Sequence, residues 1–180
     1  MASILGVETL QHTNGTTAAT IKSDGTFYPT GGIVQVKQSF KDDVFSTTGT
    51  TAHEDITGLS VSITPKSTSS KILVTLHLGC IGVTTNGAAS IRIYRDSTVI
   101  GDSDQGTSDL RDGSIVFYHN NQTGIGVPIS FSFLDSPSTA SATTYKAGIY
   151  VNAGTGYVNR LPSDTNWRAA STITAMEIAG

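Results

Sequence analysis

Few residues in this chain have the types and spacing that chemistry requires. The densest acidic stretch is residues 101–113, "GDSDQGTSDLRDG", whose carboxylates suit calcium, a cation that takes oxygen ligands. Against the EF-hand template, Asp102 and Asp104 fall at suitable places. Gly106, however, stands where an Asp or Asn belongs, Thr107 replaces the required glycine, and no Glu closes the loop. A solvated, turn-rich loop is the better reading, with calcium as the alternative. His53, Glu54 and Asp55 stand together in "TTAHEDITG", but without H-E-x-x-H the spacing excludes a zincin site. The other histidines, His12, His77 and His119, are scattered, and His77 reads as a structural residue on the flank of a core strand. No G-x-S-x-G elbow, P-loop or dinucleotide fingerprint occurs. A glycosidase needs only two carboxylates, which spacing alone does not exclude. The pattern as a whole points to a protein that is not an enzyme and uses no cofactor and no metal.

A binding surface has better candidates. Trp167 sits beside Arg168 in "SDTNWRAAST", and Trp and Arg are the types most enriched at binding hot spots; a lone Trp next to a final strand is more often packing. The loop "AGTGYVNRLPSD" is expected to place Tyr157, Asn159 and Arg160 at an exposed end. With Trp167 these form a candidate ligand-binding set, suited to carbohydrate or protein contact.

The elements that must position them are strands. Period-2 alternation recurs along the chain, whereas apolar residues rarely fall at helical spacing. Leu59, Val61 and Ile63 alternate with Ser60, Ser62 and Thr64, and Pro65 ends the run. Ile72, Val74, Leu76, Leu78 and Cys80 line one side of the next strand. Leu73, Thr75, His77, Gly79 and Ile81 line the other, which reads as a central strand covered on both faces. Asn86-Gly87 is a strong hairpin signal, because both types tolerate positive φ, and Arg95-Asp96-Ser97 reads as a second tight turn. Asn120-Asn121-Gln122 closes a short strand from Ile115 to Tyr118. Alternation returns at Ile129, Phe131 and Phe133, at Tyr145, Ala147, Ile149 and Val151, and at Thr174, Met176 and Ile178. Eight or nine short strands at fairly regular spacing predict an all-β fold, an antiparallel jelly-roll β-sandwich over residues 33–180.

Residues 1–32 differ. Two turn signals, Asn14-Gly15 and Asp24-Gly25, flank very short apolar stretches. The segment holds too few apolar residues for a core of its own, and is expected to be a short extended docking segment hinged at Gly31-Gly32.

Composition narrows the partners. Charged residues make up 14% of the chain, well below the usual value of about 25%, and Ser and Thr fill the gap at about a quarter of all residues. A net charge of −3 gives no basic patch for nucleic acid and no polybasic segment for a membrane. No stretch approaches the ~20 apolar residues of a span, so no membrane insertion is expected. The single cysteine, Cys80, reads as a small buried hydrophobe. Hydroxyl-rich, uncharged strand faces fit self-association: across a symmetry axis each residue meets its own equivalents, and like charges placed opposite are destabilising.

At this point the stretches "MASILGVETLQHTNGTTAATIKSDGTF", "ITGLSVSITPKSTSSKILV" and "STITAMEIAG" together carry a resemblance to virion structural proteins of marine bacteriophages, often described as tail-fibre or fibre-like proteins. The resemblance implies a homotrimer whose jelly roll is similar to those of the C1q and tumour-necrosis-factor families. It also implies a leader docked on other virion proteins and a domain projecting towards a host-surface glycan or protein. Localisation would be the virion, after synthesis in the host bacterial cytoplasm. The leader is short and no fibrous shaft follows it, which keeps a capsid decoration, cement or head-fibre role beside the short tail fibre. A free carbohydrate-binding module is the reading from another class.

Overall fold

The computed structural model describes residues 6–84, 86–103, 110–119 and 124–180. Their regular elements are all strands: β1 (Thr9–Gln11), β2 (Thr17–Ile21), β3 (Phe27–Pro29), β4 (Ile33–Lys41), β5 (Phe45–Thr47), β6 (Glu54–Ile63) and β7 (Lys71–Val83). The second half holds β8 (Gly87–Arg95), β9 (Thr98–Ile100), β10 (Ile115–His119), β11 (Val127–Asp135), β12 (Thr143–Val151), β13 (Gly156–Val158) and β14 (Ser171–Ile178).

The eight principal strands pair as a rolled-up ribbon. In chain order the first pairs with the last (β4 with β14), the second with the seventh (β6 with β12), the third with the sixth (β7 with β11) and the fourth with the fifth (β8 with β10), all antiparallel. One sheet therefore runs β4–β14–β7–β11 and the other β6–β12–β8–β10. This is the nested order of a jelly roll, as the alternation predicts.

The period-2 pattern explains why the two sheets face each other. Ile72, Val74, Leu76 and Leu78 of β7 are fully buried, as are Leu59 of β6, Ile91 and Ile93 of β8, and Tyr145, Ala147 and Ile149 of β12. At ~25 cal/mol per Å² of apolar surface removed from water, this inner layer dominates the folding free energy. Two expectations fail for the same reason. Asn86-Gly87 does not close a hairpin, because β7 and β8 lie in different sheets. Their apolar rows must oppose each other across the core rather than lie side by side. Nor is β7 covered twice: Leu73 and Thr75 are only partly buried and His77 is exposed. The turn at Asp96 does form, with φ +54, and pairs β8 with β9. The expected turn at 120–122 lies outside the described residues.

Residues 9–29 form a three-stranded antiparallel meander, β1–β2–β3. Its turns are the predicted ones, with Gly15 at φ +85 and Gly25 at φ +81. Cross-strand partners share a face, so Leu10, Ala19, Pro29, Ile21 and Phe27 lie on one side, and Leu10, Ile21 and Phe27 remain exposed. Tyr28, on the other side, ties the meander to the sandwich. Its hydroxyl lies 2.6 Å from Ser70 Oγ, and Ser70 donates at 2.7 Å to Glu177 Oε1. Since the Ser70 proton is committed to Glu177, Tyr28 is the donor to Ser70. Glu177 is fully buried and also accepts from Gln35 Nε2 at 2.6 Å and from the Lys66 backbone N–H at 2.7 Å. Lys66 in turn pairs with Asp24 at 2.6 Å.

Glu177→Ala would leave the buried Ser70 hydroxyl and the part-buried Lys66 N–H without this acceptor, while Gln35 Nε2 keeps the Thr64 carbonyl at 2.7 Å; a buried unmet group costs ~1–3 kcal/mol. Urea denaturation is expected to show a loss of about 2 kcal/mol or more. Tyr28→Phe is expected to cost only about 1 kcal/mol while accelerating proteolysis within residues 6–32. Equal losses for the two variants would mean that the carboxylate does not organise this junction.

Candidate functional site

The predicted ligand set lies where the first sheet is interrupted. Ile81 of β7 pairs with Val127 of β11 on one edge and with Val158 of β13 on the other. The second of these is also the edge that β14 occupies from Thr172 onwards. β13 and β14 thus form one strand line, and residues 159–170 leave it as an excursion. Its neck is closed by the Ala169 N–H donating to the Asn159 carbonyl at 3.1 Å and by an antiparallel bridge between Arg160 and Arg168.

Asn159 builds that neck. Its left-handed φ of +67 turns the chain out of the ladder, a conformation that Asn tolerates better than most residues. It is fully buried, with Nδ2 donating to the Lys41 and Asp43 carbonyls at 2.9 and 3.0 Å and Oδ1 accepting from Ser171 Oγ. The expected exposure of Asn159 is therefore not met, because every polar atom of its side chain is used inside the protein. Of the other three predicted residues, Tyr157 and Arg160 are half-buried and Trp167 is exposed. Arg160 lies over the Tyr157 ring, 3.9 Å from its centroid, and Trp167 is 68% exposed. Packing does not account for this tryptophan. Small residues beneath let the excursion lie close: a Cβ on Gly82 would sit 2.6 Å from the Pro162 ring.

A second polar cluster lies on the other sheet. His53 Nε2 is 2.8 Å from Ser90 Oγ, whose own hydrogen goes to the Leu110 carbonyl at 2.7 Å. The imidazole must therefore donate from Nε2, leaving Nδ1 as a bare acceptor, buried and without a hydrogen-bond partner. Burial, helped by the nearby Arg92 charge and opposed by Asp102, lowers the His53 pKa to about 4. Ser90 is buried, so the pair is not arranged as an accessible nucleophile and base. The described surface has no enclosed pocket, and no group of three or more His, Cys, Asp or Glu among the described residues could hold a metal ion. Asp104, Gly106 and Thr107 of the calcium comparison lie outside the described residues. Burial raises the Cys80 thiol pKa, and Sγ lies 3.2 Å from the Arg160 carbonyl.

The outer faces of the two sheets differ in charge. Register aligns three rows across the outer side of β4, β14, β7 and β11: Val36, Met176, Leu73, Leu134; then Gln38, Thr174, Thr75, Ser132; then Phe40, Thr172, His77, Ser130. None of the twelve is Asp, Glu, Lys or Arg. Hydroxyls and amides satisfy one another within the rows, with Gln38 to Thr174 at 2.8 Å, Thr75 to Ser132 at 3.2 Å and His77 to Ser130 at 2.9 Å. The opposite sheet carries ion pairs, Lys146 with Asp55 at 2.6 Å and Arg92 with Asp102 at 2.8 Å.

No protein-family model and no curated protein matches the chain. Among solved structures, infectious bursal disease virus Gt strain aligns at 13% identity with a TM-score of 0.43, over 85% of this chain and 39% of that one. The VP2 subviral particle of the same virus aligns at 14% identity with a TM-score of 0.40, over 86% and 40%. This chain thus spans about two fifths of the length of the chains it matches. Scores this low, at such identities, assign it neither a family nor a role.

The His53 geometry has a pH consequence. A folded pKa near 4, against 6.5 for the free side chain, means that the unfolded chain takes up the proton first. The associated stability is complete above about pH 6.5 and is lost as pH falls towards 4. His53→Gln is expected to flatten that limb of a denaturation-versus-pH profile, and the His53 ring protons in wild type should titrate near pH 4 by NMR. A midpoint near 6.5 would contradict the buried neutral ring.

Proposed function

We propose that the chain is a bacteriophage virion structural protein, a homotrimeric short tail fibre. It docks on other virion proteins through residues 1–32 and exposes its jelly roll to the host surface, acting by assembly and binding rather than by catalysis. The carrying observation is the run of three uncharged rows on the outer face of the first sheet, which Lys71 borders at the end of β7. About a symmetry axis, equivalent residues confront each other, and a single charge there would meet its own copy. The row Val36, Met176, Leu73 and Leu134 gains by being covered, while Gln, Ser and Thr beside it lose less side-chain entropy on burial than Lys or Arg would. The ion pairs of the opposite sheet, Lys146 with Asp55 and Arg92 with Asp102, have no counterpart within these three rows. The resemblance of the first 27 residues to phage virion leaders supports docking through the meander, as does its exposed apolar side bearing Leu10, Ile21 and Phe27.

One observation favours a second reading within the same class. β3 ends at Pro29 and β4 begins at Ile33, so no shaft separates the meander from the sandwich. That compactness suits a capsid decoration, cement or head-fibre protein, and copy number per particle separates it from a tail component.

Light scattering on the full chain at micromolar concentration is expected to give three times the 18.8 kDa chain mass. Leu73→Glu, which places a charge in the middle of the apolar row, should release folded monomers with an unchanged far-ultraviolet spectrum. A monomeric wild type would retire the assembly reading and return the free carbohydrate-binding module to first place.

A further inference from the structure

We infer that the neck of the 159–170 excursion is a binding site for an acidic glycan. This gives the ligand class of the proposed host-surface contact and rests on that reading. Arg160 and Arg168 are direct partners in an antiparallel bridge, so their side chains leave the same face with Cβ atoms about 5 Å apart. Like charges directly opposite are destabilising, and neither arginine has a carboxylate partner among the described residues. Elsewhere Lys41, Lys66, Arg92, Arg95 and Lys146 each hold an aspartate. Asp164, the carboxylate within the excursion, instead accepts the Asn166 backbone N–H at 2.7 Å. Two bridge-paired arginines without a carboxylate partner among the described residues, the Arg160 Nε itself buried and without a hydrogen-bond partner, form a site that an anion would stabilise in a charge-poor chain, and the fork geometry of Arg matches carboxylate or sulfate oxygens.

The surroundings specify the rest of the ligand. Stacking on Tyr157 holds the Arg160 guanidinium in place, and the buried clamp at Asn159 fixes the neck, so little ordering remains to be done on binding. Trp167, next to Arg168, presents a bare indole at 68% exposure, an amphipathic surface able to cover the apolar C–H face of a sugar ring. With no enclosed pocket, the site suits a polymer lying along the surface rather than a small molecule. An acidic peptide would satisfy the arginines but has no need of the indole.

The test is binding of the full chain to immobilised dextran sulfate and polymannuronate, with neutral dextran and polyglutamate alongside, by interferometry at several salt concentrations. The acidic glycans are expected to bind and neutral dextran is not. Arg168→Gln and Trp167→Ala should each weaken binding about ten-fold, the weight of a hot-spot side chain. Lys71→Gln, which removes an exposed charge elsewhere, should leave it unchanged. Failure to bind either acidic glycan, equal weakening by Lys71→Gln, or polyglutamate binding as tightly as the glycans would overturn the site. Light scattering on the same samples separates this from the assembly reading. Trimers that bind neither acidic glycan remove the site and leave the fibre; monomers that bind with the expected variant pattern do the reverse.

Discussion

The structure depends on sealing one side of β7 between two sheets. Thirteen residues long and paired on both edges, β7 puts Ile72, Val74, Leu76 and Leu78 into a layer that excludes water entirely. Because side chains alternate strictly, the same burial forces Leu73, Thr75 and His77 to the outside. A one-residue slip would exchange the two sets, so the inner layer specifies the register of β14 and β11 as well. The outer face is therefore not free to be arbitrary. It is the remainder of the core, and its composition has to suit whatever covers it.

That remainder is handled differently on the two sheets. On β6, β12 and β8 charged groups pair with aspartates, whereas three consecutive outer rows of β4, β14, β7 and β11 carry no formal charge, Lys71 standing in the next row at the end of β7, and polar atoms there are satisfied laterally within the sheet. Both faces are compatible with a stable jelly roll, so stability alone does not account for the asymmetry. The strand line of β13 and β14 adds a further feature. A sheet tolerates the excursion at 159–170 because Asn159 takes over the hydrogen bonds that a regular ladder would have made, and the two arginines are brought together only by that closure.

Buried polar groups hold the joints. Glu177 links the meander to the sandwich. Asp135 links the sheets, taking both carboxylate contacts from Arg95, at 2.8 and 2.9 Å, and one from Tyr145, at 2.7 Å; burial and this partner raise the tyrosine pKa. Neither acid stood out in the sequence. Glu177 occupies an inward position of an alternating strand, where a charged residue reads as an exception, and its three donors come from β4 and from the turn before β7. Asn159 looked like a loop residue because nothing local shows that the carbonyls of Lys41 and Asp43 lie beneath it.

What the sequence determined by itself was the alternation: all-strand class, the inward rows of β6, β7, β8 and β12, and the glycine turns of the meander. These are local properties, set by the period of a strand and the backbone freedom of Gly and Asn. Tertiary structure alone decided which strands pair, and so that Asn86-Gly87 crosses between sheets, that β7 leaves one face bare, and that Arg160 meets Arg168. Pairing joins residues far apart in the chain, and their energies depend on burial and opposition that no local spacing encodes.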